Sequence, residues 1–234
     1  MFTLIQNKKL YMLAVDQIKG LIEQEKLKPG DKLPSERKLS NLLSLSRSTT
    51  REAIAALEIM GYIEVRVGVG TFIKEVGNNN KDIIESDLNS SPTELFEARI
   101  LIEPIISRLA AQRATAEDIE NMKEILFEGY NPDTEKPQEA EKRDQRFHLA
   151  IAKATYNEAL YKFDELINIE RTSKLWTNIR IHSLEKEGRI DKYQNEHYEI
   201  FNAIKDKDQK LAEKLTLKHL EKIRKEFLIL GFDK

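Results

Sequence analysis

One stretch of this chain alternates apolar and polar residues, YIEVRVGVGTFIKEV at 62–76, and it follows three segments of helical period. That order constrains the fold most, because a period of two and a period of 3.6 bury different faces. In the first helical segment, Leu10–Lys26, the side chains of Leu10, Leu13, Ala14, Ile18, Leu21 and Ile22 share one side. KLKPGDKL then supplies a Pro-Gly turn that stops it. PSERKLSNLLSL opens a second helix at Pro34 and Ser35, with Leu39, Leu42 and Leu43 as its expected buried stripe. A third runs from Arg47 to Met60, with Ala53, Ile54, Leu57 and Met60 facing inward and Ser48, Arg51, Glu52 and Ala55 outward. Gly61 ends it, and the alternating stretch folds back as a two-strand hairpin, its Gly68 and Gly70 allowing close backbone approach. Three helices and a hairpin make a winged helix-turn-helix.

The third helix begins with SRSTTR and ends apolar. Ser46 is the expected N-cap. The first-turn N–H groups and the helix dipole favour an anion there, and the hydroxyls with Arg47 and Arg51 add phosphate and base-edge donors. A recognition helix in a major groove needs this arrangement. The alternative is an ordinary capped helix with a solvated basic end.

The 234 residues suit one large or two ordinary domains, and 33% are charged with a net of only −2. Residues 1–76 hold twelve Lys and Arg against nine Asp and Glu, whereas the remainder is net acidic, the asymmetry expected of a DNA-binding N-terminus. Without cysteine there are no disulfides or thiolate metal sites, which points to the cytoplasm. Charges interrupt the N-terminal segment too early for a signal peptide, and no apolar run reaches the ~20 residues of a membrane span. Residues 77–92, rich in Asn and Ser, read as a linker, with one short turn at DIIESDL. From Thr93 to Lys234 about six helical stretches follow, broken near Thr115, at GYNPDTEKP, near Asn157, at EKEGRID and near Asp206. The fold class is mainly α: a winged helix-turn-helix over 1–76 and an all-α bundle over 93–234.

The four histidines sort themselves on that bundle. Asp144 and His148 are four apart and share a face with Phe147 and Ile151. His197 precedes Ile200, Phe201 and Ile204; His219 lies between Leu215 and Ile223 with Phe227 beyond. One carboxylate and three imidazoles therefore aim at one interior from three helices, and a divalent cation satisfies all four. The alternative for any one of them is a hydrogen-bonded core histidine. His182, beside a helix break, reads as a surface residue.

Residues 17–76 resemble the GntR family of bacterial transcription regulators in PGDKLPSERKLS, SRSTTREAIAAL, Gly61 and VGVGTF, in that order. Residues 93–220 resemble the family's all-helical FCD subfamily in FEARILIEPIISRLAA, RDQRFHLAIAKATYNEAL and EHYEIFNAIKDKDQKLAEKLTLKHL. SLSRSTT departs from the more usual GVSRTTV type at Ser44 and Thr50. The resemblance implies that Arg37, Ser46, Arg47, Ser48, Thr49 and Arg51 face DNA and that Gly68 lies against a phosphate or in the minor groove. A solvated pair with Glu36 or Glu23 is the alternative for Arg37, and packing within the helix for Thr49. The resemblance also implies a metal on Asp144, His148, His197 and His219.

Zinc or nickel are the first choices of divalent metal. An octahedral ion on four protein ligands keeps two open positions, which a small carboxylate or water can fill; a tetrahedral zinc would be closed. Arg99 is a candidate anchor for that carboxylate, with an i,i+4 pair to Glu103 as the alternative. The expected function is a ligand-responsive transcription regulator, in the repressor sense, binding duplex operator DNA as a homodimer and a small carboxylate-bearing metabolite, with no membrane partner. A regulator sensing the metal itself is a second reading. A metal-dependent enzyme is a third and is set aside: no separate nucleophile–base pair or phosphate loop accompanies the ligands.

Overall fold

The computed structural model describes residues 9–24, 26–66, 69–75 and 90–228, without the side chains of 59, 174, 175, 178, 179, 182, 227 and 228. Gly68, the DIIESDL turn and the His182 side chain lie outside them. The chain divides into two compact units near residue 88.

The first unit holds α1 (Leu10–Glu23), α2 (Glu36–Leu43), α3 (Arg47–Ile59), β1 (Ile63–Arg66) and β2 (Gly70–Ile73). The strands pair antiparallel, Ile63 opposite Ile73 and Arg66 opposite Gly70. Gly30 N–H donates to Ile73 and Leu33 N–H to Thr71, so the Pro-Gly loop extends the small sheet past β2. At Gly70 φ is +138°, a backbone conformation that L side chains rarely adopt, so the glycine answers to the turn into β2.

Three sequence expectations shift here. α1 buries Tyr11, Ala14, Val15 and Ile18, whereas Leu10 and Leu13 stand exposed. The inward stripe is one residue further round, with an aromatic ring at its start. On α2, Leu39 is buried, Leu43 half-buried and Leu42 exposed. At about 100° per residue Leu43 lies near Leu39, but Leu42 falls on the far side from Ser40, the other buried residue. On α3, Glu52 and Ala55 are buried, because α3 packs against α1, α2 and β1 together and keeps little outer surface beyond its first turns.

The second unit holds α4 (Pro92–Arg113), α5 (Ala116–Phe127), α6 (Pro137–Lys153), α7 (Glu158–Glu170), α8 (Lys174–Leu184), α9 (Arg189–Lys205) and α10 (Gln209–Leu228). Ser91 with Glu94, and Thr115 with Asp118, form capping boxes that start α4 and α5. The expected breaks are present, and one was missed: the chain turns at Arg171–Ser173, where the Ser173 hydroxyl caps α8. Among the described residues this unit therefore has seven helices where the sequence suggested about six. α6 touches α4, α5, α7 and α8, and α9 touches α4, α5 and α8. Ile106, Met122, Leu126, Phe147, Ile151, Ile200, Phe201 and Ile204 fill the space between them. Among the described residues no helix is long and apolar enough to cross a membrane.

Candidate metal centre and nucleic-acid interface

α6 turns Glu141, Asp144 and His148 inward, at the i, i+3, i+7 spacing that keeps one helix face. Phe147 and Ile151 on its flank lock α6 into the core. The Ile200, Phe201 and Ile204 contacts fix the turn of α9 so that His197 points to the same place, and α10 brings His219. Asp144, His148, His197 and His219 are each at most 4% exposed. One ligand atom from each lies within 4.8 Å of every other. Two atoms bound at ~2.1 Å to one ion stand at most about 4.2 Å apart, so a small contraction brings the four into a coordination shell.

The hydrogen bonds around them orient the rings. His148 Nδ1 lies 2.9 Å from Glu103 Oε2. His219 Nδ1 lies 2.7 Å from Glu196 Oε2. A carboxylate on Nδ1 makes that nitrogen the N–H donor and leaves Nε2 with its lone pair, the carboxylate–histidine pairing that surrounds metal ligands. His148 Nε2 and Asp144 Oδ1 are buried and make no hydrogen bond. His197 Nε2 sits 3.0 Å from His219 Nε2 and 3.3 Å from Asp144 Oδ1. Two imidazole nitrogens facing each other beside an orphaned carboxylate oxygen is what a cation would resolve. The residues present fit a divalent metal.

Behind Asp144 stands a cationic wall. Arg171, at the end of α7, donates to Asp144 and, at 2.8 Å, to Glu141. Arg180 on α8 donates to Glu141 at 2.9 Å and approaches Asp144 Oδ1 at 3.5 Å. Both guanidinium groups are buried, and Arg171 Nε and Arg180 Nη1 have no hydrogen-bond partner. The same holds for Asn168 Nδ2 and Asp164 Oδ2, one turn apart on α7. Arg99 is buried as well, its Nε 2.5 Å from Glu103 Oε1. It thus meets the i,i+4 partner offered by the sequence and reaches the histidines through that carboxylate.

The charges are set by this packing. Burial works against the Asp144 carboxylate, but Arg171 and then His197 hold it well below the ordinary range. Burial opposes Glu103 too, and Arg99 and His148 outweigh it. Burial pushes His219 down to about 3, His197 adding to the effect and Glu196 opposing it. Burial also lowers His197, against the pull of Asp144. The two imidazoles are therefore held neutral, the form that ligates. Burial and then Glu103 push Asp164 up to about 7, so that it can present a donor or an acceptor near neutrality.

Sequence reading missed Arg171, Arg180, Glu141 and Glu196. Glu141 had a signal, since it shares the Asp144–His148 face three residues earlier. The two arginines had none: each lies on a different helix, and one belongs to the overlooked break.

In the first unit, Ser46 caps α3, its hydroxyl accepting from Thr49 N–H at 3.1 Å and lying within 2.8 Å of the hydroxyls of Ser48 and Thr49. Glu36 on α2 binds both arginines of the α3 start, Arg47 Nε at 3.0 Å and Arg51 Nε at 2.5 Å. Arg37 stands exposed beside it. Thr50 is buried and donates back to the Ser46 carbonyl. Ser44, where the family pattern more often has glycine, takes φ +54° at the end of α2, a conformation that favours glycine.

Residues 10–73 match the family described as bacterial regulatory proteins, gntR family, and residues 94–222 match the FCD domain. The chain is 33% identical over 216 residues to the Uxu operon transcriptional regulator of Escherichia coli (strain K12), across 90% of this chain and 84% of that protein. It is 31% identical over 224 residues to the Exu regulon transcriptional regulator of the same strain, across 92% of this chain and 83% of that one. With the HTH-type transcriptional regulator LutR of Bacillus subtilis (strain 168) it shares 32% over 216 residues, 87% of this chain and 94% of that one. These relatives are regulators, not enzymes.

Proposed function

The chain belongs to the gntR family of bacterial regulatory proteins, with an FCD domain behind its DNA-binding unit, and from that premise we propose a repressor switched by a small organic acid bound beside one divalent metal. The metal is held by Asp144, His148, His197 and His219. The observation that carries this reading is the pair of buried orphan atoms, His148 Nε2 and Asp144 Oδ1, facing the His197–His219 contact. A zinc or nickel ion held there would supply a Lewis-acidic charge that attracts a carboxylate, provided the four protein ligands leave it open positions. The chain's own groups do the rest. Glu103 and Glu196 fix the ring orientations of His148 and His219. Arg171 Nε and Arg180 Nη1 offer buried donors to the acid, and Asn168 and Asp164 a donor and an acceptor to its hydroxyls. Arg99 supports the acid through Glu103. Elemental analysis of the purified protein, followed by calorimetric titration with a panel of hydroxycarboxylates, tests the reading. Wild-type protein that neither holds nor takes up metal, yet answers to its acid normally, overturns it.

The acid acts on DNA only through its differential affinity for two shapes of the protein, typically ~1–3 kcal/mol or about 5–150-fold in operator affinity. One recognition helix covers a few base pairs, so the operator-binding form is a homodimer on two half-sites. Arg37, Ser46, Arg47, Ser48, Thr49, Arg51 and Gly68 form the DNA-facing set. Arg47→Ala or Arg51→Ala is expected to cost roughly 1–3 kcal/mol of operator binding where the residue reads a base, with specificity relaxed at that position. A residue on phosphate alone gives an even loss and a shallower salt slope. Unchanged affinity of both variants at fixed salt removes them from the interface.

Acid should dismantle the metal centre in a particular way. His219 titrates near 3 in the folded chain, because burial disfavours its cation; exposed in the unfolded chain it titrates near ~6.5. Between those values the unfolded state binds more protons, so stability falls as pH falls through that window. Metal release is therefore expected to coincide with loss of helical structure, followed by a metal indicator and circular dichroism in one titration. Full release while the helical signal stays native counts against neutral, burial-protected ligands.

A further inference from the structure

α2 packs on α3, and Glu36 is the first residue of α2, where the helix dipole favours a negative charge. Its side chain is only 9% exposed. Each carboxylate oxygen takes one arginine: Oε1 accepts from Arg47 Nε at 3.0 Å, and Oε2 from Arg51 Nε at 2.5 Å. Arg47 and Arg51 are one turn apart on α3, their side chains 63% and 18% exposed. A guanidinium has five N–H donors, and Glu36 takes only the Nε–H of each. Among the described residues the terminal N–H groups of both meet no partner. They remain as flat two-donor forks, the shape that matches O6 and N7 on a guanine edge.

A carboxylate in this position works against binding to any polyanion, since it cancels the positive charge of one arginine. It brings something else. A free arginine swings to whichever phosphate is near and so binds every sequence alike. An arginine held at Nε keeps its fork where one base edge must come, and it adapts less when the wrong base arrives.

We propose that Glu36 is a positioning residue for sequence discrimination, aiming the terminal forks of Arg47 and Arg51 at base edges at the expense of non-specific affinity. The inference rests on the proposal that both arginines face DNA, and deepens it.

The test measures binding of the full chain to two labelled duplexes at fixed salt. One is selected by the wild-type protein from a random pool; the other has the same bases in scrambled order. Glu36→Gln removes the charge, and Glu36→Asp keeps it on a side chain too short to reach both Nε atoms. Each is expected to lower the ratio of the two affinities by about fivefold or more, the lower end of what one bidentate base contact contributes. The scrambled duplex should be bound at least as tightly as by wild type. The salt slope on the selected duplex should steepen, as freed guanidinium groups turn to phosphate. Circular dichroism checks folding, and either variant decides the matter where the other fails to fold. A smaller fall in the ratio, a fall with the slope unchanged, or weaker binding to the scrambled duplex overturns the proposal. Arg47→Ala and Arg51→Ala on the same duplexes separate the two readings. If both bind as wild type does, the arginines leave the interface and Glu36 goes with them. If both lose affinity while the Glu36 variants keep the ratio, the role of Glu36 alone falls.

Discussion

His148→Ala and His219→Ala proteins are each expected to lose the metal and the response to the organic acid together, while still binding operator DNA. Each change would remove one of the four proposed ligands and also strands a carboxylate, Glu103 or Glu196, that holds the missing ring. Loss of an outer partner alone costs a metal site roughly 10–100-fold in affinity. Loss of a ligand should exceed that, whereas Glu196→Gln should fall within it. DNA binding should survive because the proposed DNA-facing arginines, Arg47 and Arg51, lie in the other compact unit. Metal content by elemental analysis, beside operator affinity with and without acid, gives the answer. A variant with full metal content removes that histidine from the set.

Arg171→Met is expected to destabilise the helical unit by about 3–5 kcal/mol, the usual result of removing one partner from a buried ionic group. Arg171 is 1% exposed and joins Asp144, Glu141 and Asn168. Without it two buried carboxylates share the guanidinium of Arg180 alone. Lys123→Met makes the comparison: its pair with Glu120 is on the surface, both side chains more than half exposed, and such pairs contribute ~0–1 kcal/mol. Urea unfolding of the two variants should separate them clearly. Equal midpoints would mean that the Arg171 pairs contribute no more than a surface contact.

The sequence disclosed the parts of this molecule that follow a period. The hairpin stood out by alternation, the helices by their stripes, and the shared inward direction of Asp144, His148, His197 and His219 by their apolar neighbours. Side chains off the stripe were not disclosed. Leu42 looks like core in a string of letters, and only the register of α2 turns it outward. Glu52 looks like surface, and only the packing of α3 on three neighbours buries it. Arg171 and Arg180 are the sharper lesson. Arginine is ordinarily read as solvated, and its burial depends on carboxylates that come from another helix. Glu36 escaped notice for a similar reason: the sequence offered it as a partner for its neighbour Arg37, but the fold hands it to Arg47 and Arg51, on the next helix.

The depth of the proposed metal centre bears on how fast it could fill and empty. All four proposed ligands are almost sealed from solvent, so an ion bound there would enter or leave only when the helices around α6 part, its exchange paced by that opening. Slow exchange suits a resident ion, acquired as the domain folds and retained through many rounds of signalling. It suits poorly a detector of metal supply, which must equilibrate with its surroundings faster than the supply changes. The proposed organic acid would face the same barrier, so its association is expected to run well below the diffusion limit, and the lifetime of the acid-bound state would be set by how often the bundle breathes.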